Sequence, residues 1–208
     1  KILMLLKINP NRMELLRLKK RLIVAKRGYK LLKDKRDALI QVFVRLAKEN
    51  NEVREELEEK LLKCYAIFSN VSSLMSKMTL EETLMFPKAK SRTEVSFKNI
   101  MSVNVPQYKF KCEGKYYSYS LVDTTAELDS ALKNYHDILP LMLKVAELDK
   151  SITLLANEIE KTRRRVNALE YVIIPDLEET IKFITMKLDE MARSTTSAIM
   201  RIKEIIRA

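Results

Sequence analysis

Apolar side chains recur along the first third of this chain at alternating steps of three and four residues. The series runs Leu15, Leu18, Leu22, Ala25, Tyr29, Leu32, Arg36, Leu39, Phe43, Leu46, Asn50, Val53, Leu57, Lys60, Cys64, Ile67, Val71, Leu74 and Met78, and all but three of these positions are apolar or aromatic. A seven-residue repeat held this long keeps one narrow seam turned toward a partner helix and imposes a left-handed supercoil. At about 1.5 Å of rise per residue it predicts a helix on the order of 100 Å long. Asn9-Pro10-Asn11 supplies its start, because asparagine caps a helix and proline is tolerated where the first N–H groups lack partners. The polar exceptions are readable too. Asn50 fixes register by meeting a polar group opposite or marks a local opening, and Arg36 and Lys60 lay their stems along the seam with their charges in water.

The pattern returns after about residue 125. Leu128, Ala131, Tyr135, Ile138, Met142 and Val145 form a first seam; after a slip near Leu148, Ile152, Leu155, Ile159, Thr162, Val166, Leu169 and Ile173 continue it. Beyond Pro175 come Ile181, Ile184, Leu188, Met191, Thr195, Ala198, Ile202 and Ile205. Pro140 and Pro175 each remove a backbone donor, so bends are expected there. Thr124 and Glu127 have the spacing of a capping box at the start of this helix. Between the two seams the period changes. Pro87 and the polar stretch 88–93 read as a loop, and Val95, Phe97, Val103, Val105, Tyr108, Phe110, Tyr116, Tyr117, Tyr119 and Leu121 flank a turn at Glu113-Gly114. Aromatic and β-branched residues around such a turn predict a hairpin or three short strands, marginal alone and needing a surface to lie on.

The expected fold is therefore mainly α: a long antiparallel two-helix left-handed coiled coil with a small β-hairpin insert. Its parts are an N-terminal helix over 4–78, the insert over 79–124 and a C-terminal helix over 125–208, both helices forming one rod.

Composition then excludes most chemistry. The two glycines, Gly28 and Gly114, are too far apart for either a Walker-type phosphate loop or a dinucleotide fingerprint. Cys64, Cys112 and the single histidine, His136, are scattered, which suits neither a zinc site nor a catalytic dyad. Cys64 reads as a small core residue and His136 as a helix-surface residue. No catalytic residue, cofactor or metal is expected, and no apolar run approaches the roughly 20 residues of a bilayer span. Sparse cysteine without a signal-peptide pattern points to a reducing, cytoplasmic setting.

Charge adds polarity to the rod. Of the net +11, residues 1–48 hold fifteen Lys and Arg against Glu14, Asp34 and Asp37, a balance of +12 that leaves −1 for the rest. A basic end facing a near-neutral remainder calls for an acidic partner. A basic coiled-coil nucleic-acid binder or scaffold is the alternative reading, although basic-zipper regions lack the hydrophobic seam that runs through this basic segment.

Particular residues resemble a known family. Met4-Leu-Leu-Lys-Ile-Asn-Pro-Asn-Arg-Met13-Glu-Leu, Leu18-Lys-Lys-Arg-Leu22 and Gly28-Tyr-Lys-Leu-Leu-Lys-Asp-Lys-Arg-Asp37 are similar to the N-terminal helix of the D subunit of V-type and A-type ATPases. Glu158-Ile-Glu-Lys-Thr-Arg-Arg-Arg-Val-Asn-Ala-Leu-Glu-Tyr171 and Ile174-Pro-Asp-Leu-Glu-Glu-Thr-Ile181 resemble its C-terminal helix, and Asn99-Ile-Met-Ser-Val103 with Val105-Pro106 its insert. Asn11, where threonine is expected, and Tyr29, where histidine is common, depart from the pattern without disturbing the seam. The resemblance implies Met4 as the natural start and a non-catalytic job, the central rotor axle of a rotary ATPase. It implies a hexamer of A and B subunits around the termini, the F subunit on the lower shaft and a funnel-shaped adaptor on the membrane ring. No nucleic acid and no direct membrane span are implied; the chain would be cytoplasmic and peripheral to the membrane. Two bearing patches toward the hexamer are expected: Arg12, Arg17, Lys19, Lys20, Lys26 and Arg27, and the triplet Arg163, Arg164 and Arg165 beside Thr162.

Overall fold

The computed structural model describes residues 9–115, 117–120 and 124–207. The apolar opening with its expected start at Met4, together with Tyr116, Leu121 and the two residues after it, and Ala208, lie outside the described residues. The chain is mainly α with a small antiparallel hairpin. Helix α1 is Arg12–Leu74, α2 Lys77–Leu84, strand β1 Lys90–Ile100, strand β2 Val103–Glu113 and α3 Ala126–Ala168. A π-helical turn, Leu169–Ile173, joins α3 to α4, Ile174–Arg207. Two compact units form, one from the chain up to Ala38 together with the chain from Ile159 on, the other from Leu39–Glu158.

In the first unit α1 opens on Asn11, whose side-chain oxygen accepts the Met13 N–H at 3.4 Å and whose carbonyl accepts that of Leu15 at 3.0 Å. Leu18, Leu177 and Ile184 form the buried centre, with Leu15, Leu22, Ala25, Ile181 and Leu188 half-buried around them. Burying each such side chain is worth about 1.5–3 kcal/mol. Arg12 and Leu15 share a groove with Leu188 and Ala192, while Val24 and Ala25 share one with Ile173 and Leu177. Rising numbers on α1 meet falling numbers on α4, so these helices run antiparallel.

At Pro175 the local helical pattern changes through a specific device. An α-helix would ask Pro175 for an N–H it lacks and would press its ring on the preceding turn. The chain instead widens by one residue, and the Ile174 N–H bonds five residues back to the Leu169 carbonyl. Pro175 then occupies the second position of α4. Leu177 and Thr180, which the even heptad count passes over, are buried there, and Thr180 donates its hydroxyl to the Asp176 carbonyl at 2.6 Å.

In the second unit Val53, Val145 and Leu148 form the buried centre, with Leu46, Leu57 and Leu141 around it. Asn50 donates its amide to Asp149 at 2.9 Å, and Arg54 reaches the other oxygen of that carboxylate at 3.0 Å. Asn50 thus meets a polar group across the seam, which ties residue 50 to residue 149 and disfavours slippage. Tyr65 and Phe68 set their rings edge-on to Tyr135, and Thr125 donates to the Met75 sulfur, so α1 and α3 also run antiparallel. Pro140 sits inside α3 on an exposed position.

The insert differs from expectation at its entry and at its turn: β1 already starts at Lys90, inside the stretch 88–93 expected as a loop. The hairpin turns at Met101-Ser102, not at Glu113-Gly114, and its register runs unbroken from Lys90↔Glu113 to Ile100↔Val103. Met101 and Ser102 both take positive φ, 50° and 74°. A two-residue turn of this kind needs the left-handed region at both positions, normally signalled by Asn-Gly. Here Asn99 holds it from outside, accepting the Ser102 N–H at 3.0 Å and donating to Asn104 at 2.9 Å. Gly114 serves another need: with φ +105° it lies so close to Lys88 that a Cβ would come within 2.8 Å of that carbonyl oxygen. At the expected capping box the Thr124 hydroxyl donates to the Ser120 carbonyl at 3.0 Å, and α3 starts at Ala126 with the Leu128 N–H bonded to the Thr125 carbonyl at 3.0 Å.

Candidate functional site

All nine basic residues of the two expected bearing patches are exposed and belong to the first unit. Arg12, Arg17, Lys19, Lys20, Lys26 and Arg27 lie on α1, which pairs there with α4. Two of them are already engaged: Arg17 with Glu14 at 2.7 Å and Lys26 with Glu178 at 2.6 Å. Exposed pairs of this kind contribute roughly 0–1 kcal/mol, so their charges remain available to a larger field. Arg163, Arg164 and Arg165 lie near the end of α3, between the buried Thr162 and Val166. Arg164 pairs with Glu160, whereas Arg163 and Arg165 have no ion pair among the described residues. At about 100° per residue the triplet fans over the outward half of the helix and cannot address one flat partner with all three charges.

The seam residues of the same unit lie beneath these charges. Leu18, Val166 and Ile184 are buried, and Leu15, Leu22, Leu32, Ile159, Leu169 and Leu188 are half-buried. In the second unit Leu39 and Leu155 are buried, with Phe43 and Leu46 half-buried. Lys60 stands outside the seam, paired with Glu56 at 2.6 Å, and that lysine holds the Glu56 carboxyl below its ordinary range.

Sequence reasoning missed the exposure of the second half of α4. Every residue of α4 from 189 to 207 is exposed, including Met191, Thr195, Ala198, Ile202 and Ile205, which the repeat assigns to a seam. Ile202, Ile205 and Ile206 stand together with Arg193, Arg201, Lys203 and Arg207. The heptad pattern announces an apolar stripe but not what covers it. A second uncovered group, Ile23, Val24 and Leu31 on α1 with Tyr171, Val172 and Ile173 at the π turn, falls off the heptad positions except at Ile173. Its only sequence signal is apolar residues in excess of what one seam needs.

Among the described residues no group of three His, Cys, Asp or Glu could hold a metal ion, and no helix is long and apolar enough to cross a membrane. Cys64 is buried, and that burial, with the Asp137 charge nearby, pushes its thiol above the usual range. Cys112 is half-exposed. A thiol reagent at pH 8 should therefore label Cys112 at least tenfold faster than Cys64; equal rates by mass spectrometry would show that the seam opens at Cys64. His136 is half-buried, its ring 6.5 Å from that of Phe110. Tyr119 donates its hydroxyl to Asp129 in the first turn of α3, tying the insert to that helix. Burial first, then this bond, raises the phenol far above its ordinary range, so the bond survives the pH at which a free tyrosine ionises.

The described surface thus combines exposed charged and apolar side chains. A model of the family described as the D subunit of ATP synthase matches residues 14–204. The chain belongs to the ATP synthase D-subunit family. It is 52% identical over 201 residues to the V-type ATP synthase D subunit of Thermoanaerobacter sp. (strain X514), covering 96% of each chain. Identity to the V-type ATP synthase D subunit of Clostridium novyi (strain NT) is 52% over 206 residues, 97% of this chain and 95% of the relative. With the V-type ATP synthase D subunit of Fusobacterium nucleatum subsp. nucleatum it is 50% over 204 residues, 97% of both. As a D subunit the chain is a non-catalytic part of its complex. The absence of glycine loops for phosphate therefore agrees with its family.

Proposed function

We propose that this D subunit is the central rotor axle of a V-type ATP synthase, coupling ATP hydrolysis or synthesis in a hexamer of A and B subunits to rotation of the ion-translocating ring. The observation that carries this reading is the exposed end of α4. Residues 189–207 present isoleucine and methionine side chains together with charges of both signs, Arg193, Arg201, Lys203 and Arg207 against Asp189, Glu190 and Glu204. The combination suits an apolar sleeve with polar groups at its rim. The bearing patches on α1 and at the end of α3 add exposed basic side chains to the same unit. The F subunit and a funnel-shaped adaptor are the further partners in this reading, which places the chain in the cytoplasm, peripheral to the membrane.

The mechanism follows from asymmetry. A pair of helices with charge on some faces and apolar side chains on others offers each of three equivalent A–B pairs a different contact free energy. Only a differential contact shifts a population. Each orientation of the axle then favours a different set of open and closed nucleotide sites, and closure around ATP favours the next orientation. Torque needs a shaft that does not slip in register. The Asn50–Asp149 bond and the buried residues on either side of it supply that resistance.

The test is removal of residues 191–208. The shortened chain keeps the buried cluster of Leu18, Leu177 and Ile184 and should remain helical. Complexes reconstituted with it should lose ATP-driven ion transport at least tenfold. Unchanged transport would remove the end of α4 from the coupling path.

A further inference from the structure

The hairpin has two edges, and the described residues cover only one of them. The Tyr108 N–H of β2 donates to the Glu147 carboxylate of α3 at 2.8 Å, so it points away from β1. Hydrogen-bonded and non-hydrogen-bonded pairs alternate along an antiparallel ladder. The pair Val95↔Tyr108 is therefore non-bonded, and so are Ser91↔Cys112, Thr93↔Phe110, Phe97↔Pro106 and Asn99↔Asn104. Pro106 agrees with this assignment: in a non-bonded pair its missing N–H costs no ladder bond. It follows that the N–H and C=O groups of Ser91, Thr93, Val95, Phe97 and Asn99 all point outward from β1. None of these backbone groups has a hydrogen-bond partner among the described residues.

An edge of this length is a pairing template, and proteins that do not use one blunt it with a proline, a bulge or a covering element. β1 has no proline, its register over eleven pairs contains no bulge, and every residue from Lys90 to Asn99 is exposed. The side chains beside the edge are sorted by face. Val95 and Phe97 are 55% and 71% exposed and share a face with Tyr108 and Phe110. The opposite face carries Lys90, Arg92, Lys98, Lys109 and Lys111, and its acids are Glu94, held by Lys111 at 2.7 Å, and Glu113. Arg92 and Lys98 have no ion pair among the described residues.

We propose that β1 is a docking strand, and that an extended segment of another subunit of the complex adds to it as a third strand. The facing residues define that segment's chemistry. Apolar side chains lie beside Val95 and Phe97, and acidic ones, on alternate positions, beside Arg92 and Lys98. Main-chain bonds supply affinity and the two kinds of side chain supply register. The inference rests on this subunit acting inside the assembled ATP synthase.

Residue-resolved hydrogen exchange on the full chain, free and in the reconstituted complex, tests it. The outward amides of Ser91, Thr93, Val95, Phe97 and Asn99 should exchange at least tenfold more slowly in the complex, while the inward amides of β1 change little. Val95→Pro removes one outward donor without touching the ladder, and should abolish the added protection. Arg92→Glu with Lys98→Glu, which leaves the backbone alone, should reduce it at least tenfold. Assembly with the outward amides still unprotected overturns the docking strand and leaves the axle reading intact; failure to assemble removes both. Concentration-dependent dimers of the free chain, lost in Val95→Pro, would assign the edge to a second copy and overturn the acidic partner.

Discussion

Replacing Ile184 by alanine is expected to lower the stability of this subunit by about 2–5 kcal/mol, the range for removing a buried aliphatic side chain whose surroundings cannot close over the gap. Ile184 is fully buried against Leu18 and Leu177, with Leu15, Leu22 and Leu188 at the margin. A pair of helices has few layers of side chains, so a cavity in one layer has little from which to refill. The same substitution at Ile205, three heptads on, is expected to change stability by less than about 0.5 kcal/mol, because that side chain is 75% exposed and alanine is a good helix former. Urea unfolding followed by helical circular dichroism distinguishes the two. Equal losses would mean that the end of α4 is covered by another part of the free chain.

Reversing Arg163, Arg164 and Arg165 together to glutamate should lower ATP hydrolysis by the assembled complex at least tenfold while the isolated subunit stays helical. All three side chains are exposed, and the one ion pair lost, Arg164 with Glu160, is an exposed pair within one helix worth roughly 0.3–0.5 kcal/mol. A tenfold rate loss needs about 1.4 kcal/mol. That exceeds the intramolecular pair and calls for contacts outside the chain. Arg164→Ala alone should have the smallest effect of the single substitutions, because its charge is already shared with Glu160. Unchanged hydrolysis in the triple variant would make the triplet a solvated helix face.

Much of the architecture was legible in the residues because a heptad repeat is a local statement about direction. Each seam position of α1 from Leu15 to Leu57 is buried or half-buried, including Arg36 and Asn50. The same repeat extended to Met78, yet α1 closes at Leu74 and a new helix starts under the Ser76 cap, leaving Leu74 and Met78 exposed. Apolar spacing does not register the helix break at Met75 and Ser76. The hairpin's strands were visible in Val95, Phe97, Val103 and Val105, whereas its turn was not. Met101-Ser102 has no turn signature of its own and depends on the Asn99 side chain.

The sequence by itself determined that this protein has long helices with one apolar seam each, a β insert between them, a basic first third and no phosphate loop. Those properties depend on period, composition and spacing, which are local. Only the tertiary structure decided that Asn50 meets Asp149, that Pro175 is absorbed by a π turn, and that β2 is covered by α3 while β1 is left open. It also left the second half of α4 exposed although its pattern matches the buried part. The physical reason is the same in each case: an apolar stripe or a strand edge specifies that a partner is needed, and only the placement of the other elements determines whether the chain itself provides it.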